Sequence, residues 1–115
     1  MTKLIFVSGS INSGKSTVSR CLTELLRSAH VQGDALRHFV TWLPLGEAIP
    51  ITEQNIAAVS KAFLLAGLDV VIDYPFYKPD YERLCEILSG SATSIHAFIL
   101  SPPLGSRSAG VVVEN

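Results

Sequence analysis

Residues 9–16 combine glycine, lysine and serine at a spacing that could bind phosphate groups. The segment reads Gly9-Ser10-Ile11-Asn12-Ser13-Gly14-Lys15-Ser16, which is the Gly-x-x-x-x-Gly-Lys-Ser pattern of a P-loop. Such a loop surrounds a phosphate with backbone N–H groups, and a side chain at either glycine would obstruct that approach or strain the turn. An apolar run precedes the segment and a helical pattern follows it, so a nucleotide site is favoured over a plain Gly/Ser-rich turn.

The residues that end this loop have separate expected roles. Lys15 would bring positive charge to the β- and γ-phosphates, and the Ser16 hydroxyl would bind Mg²⁺. Similar loops place the residue equivalent to Thr17 near the α-phosphate. A helix that begins near Lys15 would also direct its unpaired N–H groups and the positive end of its dipole at the anion.

Asp73 is the expected second metal-binding residue. It follows the apolar run 70–72 (Val-Val-Ile), which is typical of a strand buried on both faces. Ligands of open α/β folds bind at the carboxyl ends of such strands, where Asp73 could hold the Mg²⁺ shell through water in the Walker B role. The alternative is that Asp73 only begins a turn with Tyr74 and Pro75.

The surroundings of Asp73 also narrow the reaction class. Tyr74 stands where many ATP-hydrolysing motors carry a glutamate that activates water. No Asp-x-x-Gly follows this strand, and no Asn-Lys-x-Asp occurs in the chain. These absences argue against a GTPase and a motor-type ATPase and leave transfer to a bound acceptor.

Apolar periodicity predicts that strands and helices alternate. Strands are expected at residues 4–7, 31–32, 70–72 and within 94–100, and helices at residues 15–28, from near Ala35, from Thr52 as N-cap to about Ala66, and from Pro79 to about Leu88. Gly67 is expected to end its helix in a left-handed conformation. This order predicts a three-layer α/β/α sandwich with a mostly parallel sheet of about four strands.

Predicted buried stripes place several side chains in the core. On the first helix the stripe includes Cys21 and Leu25, with Ser19 left for solvent. Phe63 is expected to face inward on a later helix. Cys21 and Cys85 are therefore interpreted as reduced core residues, which together with the lack of a signal peptide favours a cytoplasmic protein.

Composition excludes several function classes. The net charge is −1 and no apolar run approaches a membrane span, so neither nucleic acid nor a membrane is expected as a partner. His30, His38 and His96 are too scattered to predict a metal cluster, and His96 is interpreted as a core or edge residue. The 48% hydrophobic content can form a core.

The P-loop, the segment 33–37 (Gly-Asp-Ala-Leu-Arg) and the segment 67–73 together resemble the small-molecule kinases of the P-loop superfamily. Shikimate kinase, gluconate kinase, adenylylsulfate kinase, chloramphenicol phosphotransferase and the zeta-toxin kinases are members of this group. The resemblance covers roughly residues 3 to 104 and implies ATP and Mg²⁺ as cofactors, with a small-molecule acceptor as partner.

The resemblance also suggests residues for the acceptor side. In these kinases an aspartate after the second strand orients the acceptor hydroxyl or accepts its proton, a role that would fall to Asp34. The alternative is a Gly-Asp turn in which Asp34 caps the next helix. Arg37 could grip the acceptor or lie in solvent, and Gln32 replaces an acid that several relatives carry. The aromatic residues near these loops could line an acceptor pocket or pack in the core: Phe39, Trp42, Tyr74, Phe76 and Tyr77.

The C-terminal part departs from the family pattern. Relatives continue into an arginine-bearing lid helix and a last strand, whereas residues 105–110 are Gly-Ser-Arg-Ser-Ala-Gly. We therefore expect a kinase-like domain at 1–104 and an irregular tail at 105–115, with residues 111–113 as an edge strand or part of the tail. Arg107 is the one arginine left in this segment to serve as a lid arginine, and its glycine- and serine-rich surroundings do not favour a lid helix. The predicted function is an ATP- and Mg²⁺-dependent phosphotransferase. The alternative is a weakly active or inactive nucleotide-binding remnant of such a kinase, which would act, if at all, through a partner. A homodimer through the exposed sheet edge is also predicted.

Overall fold

The computed structural model describes residues 2–9, 14–100 and 111–114 of the chain. Strands and helices alternate along this part, as the periodicity predicts. Their bounds are β1 (Lys3–Gly9), α1 (Lys15–Leu26), β2 (Ala29–Gln32), α2 (Gly33–Arg37), a short 3₁₀ helix (His38–Val40), α3 (Leu45–Leu65), β3 (Val70–Asp73), α4 (Lys78–Leu88), β4 (Ser94–Leu100) and β5 (Val111–Glu114).

One sheet contains all the described strands in the order β2-β3-β1-β4-β5. The first four are parallel, which confirms the expected parallel sheet. β5 adds an antiparallel edge strand, in which Val111 pairs with Leu100. Only residues 101–110 connect β4 to β5, fewer than the dozen or more that a parallel crossover needs.

The two sheet faces bury separate apolar clusters. Ile5, Val7 and Val71 pack with residues of α1 on one face. Leu4, Phe6 and Ile72 belong to the larger cluster on the opposite face, where α3 and α4 contribute buried side chains such as Ile56, Leu84 and Leu88. This arrangement gives the three-layer sandwich that the sequence predicts.

The buried stripe of α1 differs from the prediction. Ser19 is fully buried, whereas Cys21 is exposed and 80% of Leu25 is accessible. The helix is therefore rotated so that Ser19 is buried beside Val18, Leu22 and Leu26, which pack against the sheet, while Cys21 and Leu25 do not. Cys85 is partly buried, and burial raises the pKa of its thiol.

Helix α3 begins earlier than expected. It starts at Leu45 and includes Pro50, so Thr52 is a buried interior residue and the predicted N-cap at Thr52 is wrong. A proline six residues into the helix removes one backbone hydrogen bond near the terminus, which burial of the following turns can offset. Phe63 is 38% exposed and so only partly faces the core.

The other predicted elements agree with the structure. Gly67 is left-handed with φ 89°, Pro79 lies in the first turn of α4, and β4 spans residues 94–100. In the described part of the chain, none of the helices combines the length and apolarity needed to cross a membrane.

The strand β5 resolves one alternative that the sequence left open. Residues 111–114 form an edge strand, so the segment 105–115 is not irregular throughout. The predicted boundary at residue 104 lies outside the described residues. Because β5 has a neighbour on one side, its other side presents backbone groups that could pair with a second chain. A homodimer through this edge stays a prediction, which sedimentation would test.

Candidate functional site

The N-terminus of α1 lies at the carboxyl end of β1. Gly14 precedes this helix with φ 87°, a left-handed conformation that favours glycine, and no side chain of the described residues caps the helix there. The first intrahelical bond near this end joins Val18 N–H to the Gly14 carbonyl at 3.0 Å, so the preceding amides have no partner in their own helix. Four residues predicted to bind nucleotide lie outside the described part of the chain: Ser10, Ile11, Asn12 and Ser13.

Lys15 and Asp73 form a largely buried ion pair. Lys15 Nζ lies 3.0 Å from Asp73 Oδ1, and the exposed fractions of the two side chains are 11% and 6%. The parallel pairing of β1 with β3 sets Asp73 beside Val7, near the start of the P-loop. The structure thus brings together two site residues that are 58 positions apart in the sequence.

His30 lies on the other side of the same carboxylate. Its Nε2 atom is 3.5 Å from Asp73 Oδ2, longer than a well-formed hydrogen bond of about 2.7–3.2 Å. This nitrogen is buried and has no hydrogen-bond partner within the described residues. In the sheet, Asp73 pairs with Gln32 of β2. His30 lies two residues before Gln32 and therefore on the same face of β2, which makes it a diagonal neighbour of Asp73.

A cleft of about 270 Å³ opens beside this pair. Lys15, Ser16 and Asp73 line one part of it, and residues from the end of β2, α2 and the 3₁₀ helix line the rest: Gln32, Asp34, Ala35 and His38. The structure therefore gathers Lys15, Ser16, Asp34 and Asp73 around one cleft. Thr17, also predicted to bind nucleotide, is exposed in the first turn of α1 and does not line the cleft.

Asp34 reaches the cleft from the first turn of α2. Gln32 precedes that helix as its N-cap residue, so the alternative in which Asp34 caps it is wrong. About half of the Asp34 side chain is exposed, and Arg37 Nε lies 4.0 Å from its Oδ1. The Arg37 side chain is 36% exposed and lies beside Asp34 at the rim of the cleft.

The close packing of Gly33 against Tyr74 fixes the position of Asp34. A Cβ atom at Gly33 would lie 2.9 Å from Tyr74 Cβ and closer still to its ring. Tyr74 itself is buried. Burial raises the pKa of its hydroxyl above 10, and the charge of Asp34 adds to this effect. Tyr74 therefore contributes an uncharged ring that supports α2 rather than a base.

We expect Gly33→Ala to destabilise the protein and to displace Asp34. Overpacking a filled site typically costs about 1–3 kcal/mol, because side chains or backbone must shift. The matched control is Gly46→Ala in α3, where an added Cβ meets no atom of the described residues within 4 Å. That change should stabilise by about 0.5–1 kcal/mol through helix propensity. Thermal or urea unfolding measures both, and equal stability of the two variants would contradict the packing argument.

The predicted aromatic residues separate into packed and exposed groups. Tyr74 and Phe76 pack with the core, and their rings meet edge to face at 5.3 Å between centroids. Phe39, Trp42 and Tyr77 are each nearly four-fifths exposed. Phe76 and Tyr77 line a second cleft of about 220 Å³ beside β1 and β4. The five residues therefore do not form one acceptor pocket.

Ser8 holds the loop between β3 and α4 in place. Phe76 N–H donates to Ser8 Oγ at 2.9 Å, and that hydroxyl donates to the Phe76 carbonyl oxygen at 3.3 Å. Tyr74 N–H also donates to the Val7 carbonyl at 3.2 Å. These bonds fix the backbone on both sides of Pro75, and so the end of β3 that carries Asp73.

Sequence reasoning missed two histidines of the site. His30 lies in a strand that spans four residues, of which the apolar pattern detected only the last two. His38 follows α2 and lines the main cleft. The available signal was the alternation of His30 and Gln32 on one face of β2. His96, in contrast, lies in β4 with its ring near Ser94 Oγ at 3.2 Å, in agreement with its interpretation as a core or edge residue.

No protein-family model and no curated protein sequence matches this chain. Solved structures do. A Chloroflexus aurantiacus protein that is provisionally described as a kinase matches 89% of this chain with a TM-score of 0.65 and 18% identity. The APS kinase of Mycobacterium tuberculosis matches 87% with a TM-score of 0.68 and 20% identity. A gluconokinase from Sinorhizobium meliloti matches 90% with a TM-score of 0.54 and 21% identity.

These similarities show the fold. The chain has the fold of the P-loop small-molecule kinases, as its resemblance to adenylylsulfate kinase and gluconate kinase implied. It spans 59% of the Chloroflexus protein, 76% of the APS kinase and 58% of the gluconokinase.

Proposed function

We propose that this chain binds ATP with Mg²⁺ and transfers the γ-phosphoryl group to a hydroxyl of a small acceptor. The observation that carries the proposal is the Lys15–Asp73 ion pair at the N-terminus of α1, which no described side chain caps. A phosphate placed there would meet free backbone N–H groups, the positive helix end and an ammonium group. All three favour an anion at the same point.

Lys15 would exchange partners when the nucleotide enters. Its ammonium group is held by a carboxylate that is 6% exposed, so the lysine is already positioned at the cleft. A triphosphate carries more negative charge than one carboxylate, and its oxygens can accept the same charge-assisted hydrogen bonds. Binding of the phosphates would therefore leave Asp73 Oδ1 available to a cation.

The oxygen atoms of Ser16 and Asp73 suit Mg²⁺. This ion prefers oxygen ligands, keeps several waters and takes one or two protein groups together with substrate phosphates. A site of that kind does not need a cluster of acidic, histidine or cysteine side chains. Among the described residues, no group of three or more such side chains could hold a metal ion. Bound Mg²⁺ would neutralise charge that develops on the transferring phosphoryl group.

Asp34 would orient the acceptor hydroxyl or accept its proton. Its carboxylate lies in the same cleft as Lys15 and Ser16 but remains half exposed, so a substrate can reach it. Little covalent chemistry is needed from the protein in phosphoryl transfer, and positioning supplies most of the effect.

Calorimetry with ATP tests the nucleotide site, with and without Mg²⁺ and beside GTP and a non-hydrolysable ATP analogue. A phosphoryl-transfer screen over small alcohols, sugars and antibiotics then tests the reaction. If the folded protein binds no nucleoside triphosphate, the proposed function is wrong.

A second candidate function is nucleotide binding with little turnover. Within the described lining of the cleft, Lys15 is the one lysine or arginine side chain. An arginine that stabilises the transferring phosphoryl group contributes about 10³–10⁵ in rate, and Arg107 lies outside the described residues. Tight ATP binding without transfer to any acceptor in the screen would support this candidate.

We expect Asp73→Asn to remove much of the Mg²⁺ dependence of ATP binding. Without Mg²⁺ the variant should bind ATP at least as tightly as the wild type, because no carboxylate holds Lys15. Its apparent Mg²⁺ affinity should fall about 10–100-fold, as is typical when an outer-shell partner is lost. Titration of Mg²⁺ at fixed ATP measures this change. Glu86→Gln, which alters an exposed carboxylate on α4, is the control.

A further inference from the structure

We infer that His30 is a positioning residue for Asp73, an inference that rests on the proposed function. When Lys15 moves to the nucleotide phosphates, Asp73 loses the partner that now holds its Oδ1 atom. Among the described residues, His30 is then the one partner that Asp73 keeps at ion-pair distance, with Nε2 3.5 Å from Oδ2.

The surroundings of His30 favour such a role. Its Nε2 atom is buried and makes no hydrogen bond within the described residues, and a buried polar group without a partner is unfavourable. A shift of about half an ångström would bring the Nε2–H group to ordinary hydrogen-bond distance from Oδ2. Departure of Lys15 removes the attraction on the opposite oxygen and permits this shift.

The resulting bond would fix the direction of the free carboxylate oxygen. A carboxylate held through Oδ2 by a strand residue cannot rotate freely about its terminal torsion, so Oδ1 keeps facing the cleft that Ser16 also lines. Groups that orient metal-binding carboxylates in this way typically change metal affinity by about 10–100-fold. His30 would therefore set the Mg²⁺ requirement of the site without touching substrate.

The variants His30→Leu and His30→Gln separate this role from packing. Leucine fills space but cannot donate, whereas glutamine carries an amide N–H₂ at nearly the same distance from the backbone as Nε2. We expect His30→Leu to need about 10-fold or more Mg²⁺ for half-maximal tightening of ATP binding, with ATP affinity in the absence of Mg²⁺ unchanged. His30→Gln should recover most of the wild-type Mg²⁺ response.

Nitrogen NMR of the imidazole provides a readout in the wild-type protein. We expect a proton on Nε2 both in the free protein and with ATP and Mg²⁺, with a stronger Nε2–H hydrogen bond in the second state. A bound state in which Nε2 carries no proton, or a wild-type Mg²⁺ response in His30→Leu, would overturn the inference. Failure of the wild type to bind ATP would instead refute the proposed function, and with it any role of His30 in a metal site.

Discussion

Lys15→Ala should abolish most phosphoryl transfer, with kcat/KM lowered by about 10³–10⁵, the range for loss of a cation that stabilises the transferring group. Lys15 is the one lysine or arginine among the described residues that line the cleft, and Arg37 at the rim lies beside Asp34 instead. Steady-state kinetics measures the loss once an acceptor is known, and calorimetry measures the accompanying loss of ATP affinity. Lys61→Ala, an exposed lysine on α3, is the matched control.

The same substitution should also affect stability, so the two effects must be separated. Removing one member of a buried ion pair costs about 3–5 kcal/mol because the other charge is left uncompensated. The double variant Lys15→Ala/Asp73→Asn removes both charges and should regain much of that stability without regaining ATP affinity. If the double variant bound ATP like the wild type, Lys15 would have no direct role in binding.

Asp34→Asn should lower kcat by about 10²–10⁴, the usual contribution of general acid–base catalysis, while ATP affinity stays unchanged. The substitution keeps the size of the side chain but removes its ability to accept the acceptor proton. Because the side chain is half exposed and lies at a short helix, stability should change little.

The control for Asp34→Asn is Glu24→Gln, which neutralises an exposed carboxylate on α1 outside the cleft. Comparison of kcat with the KM for ATP distinguishes a chemical role from a binding role. Normal kcat in Asp34→Asn would contradict a catalytic role for Asp34 and leave proton acceptance to another group, such as His38 in the same cleft.

Local patterns were sufficient to predict the half of the site that lies next to the P-loop. The chain has a strand that ends in a carboxylate and a glycine-rich loop that starts a helix. In a parallel sheet, both features lie at the carboxyl ends of the strands. Their pairing through β1 and β3 then sets Lys15 against Asp73. Those constraints depend on sequence order and strand direction alone.

The other parts of the fold and the candidate site depend on tertiary packing, which cannot be inferred from local patterns in a single sequence. The start of α3 at Leu45 contradicts the rule that a proline ends a helix, since burial of later turns outweighs one lost hydrogen bond. The buried stripe of α1 contains Ser19, a polar residue whose burial apolar periodicity cannot indicate. His30 was missed because the predicted strand began only at Val31, so the diagonal contact of His30 with Asp73 across two strands could not be inferred.

The direction of β5 decides where the polypeptide leaves the sheet. Val111 lies beside Leu100 at the carboxyl end of β4, whereas Glu114 lies beside Ala97 in its middle. The backbone therefore travels away from the margin that carries Lys15 and Asp73. A dye, affinity tag or surface linker joined after Glu114 would emerge towards the opposite margin, and protein immobilised in this way would keep its cleft open to ligands in solution.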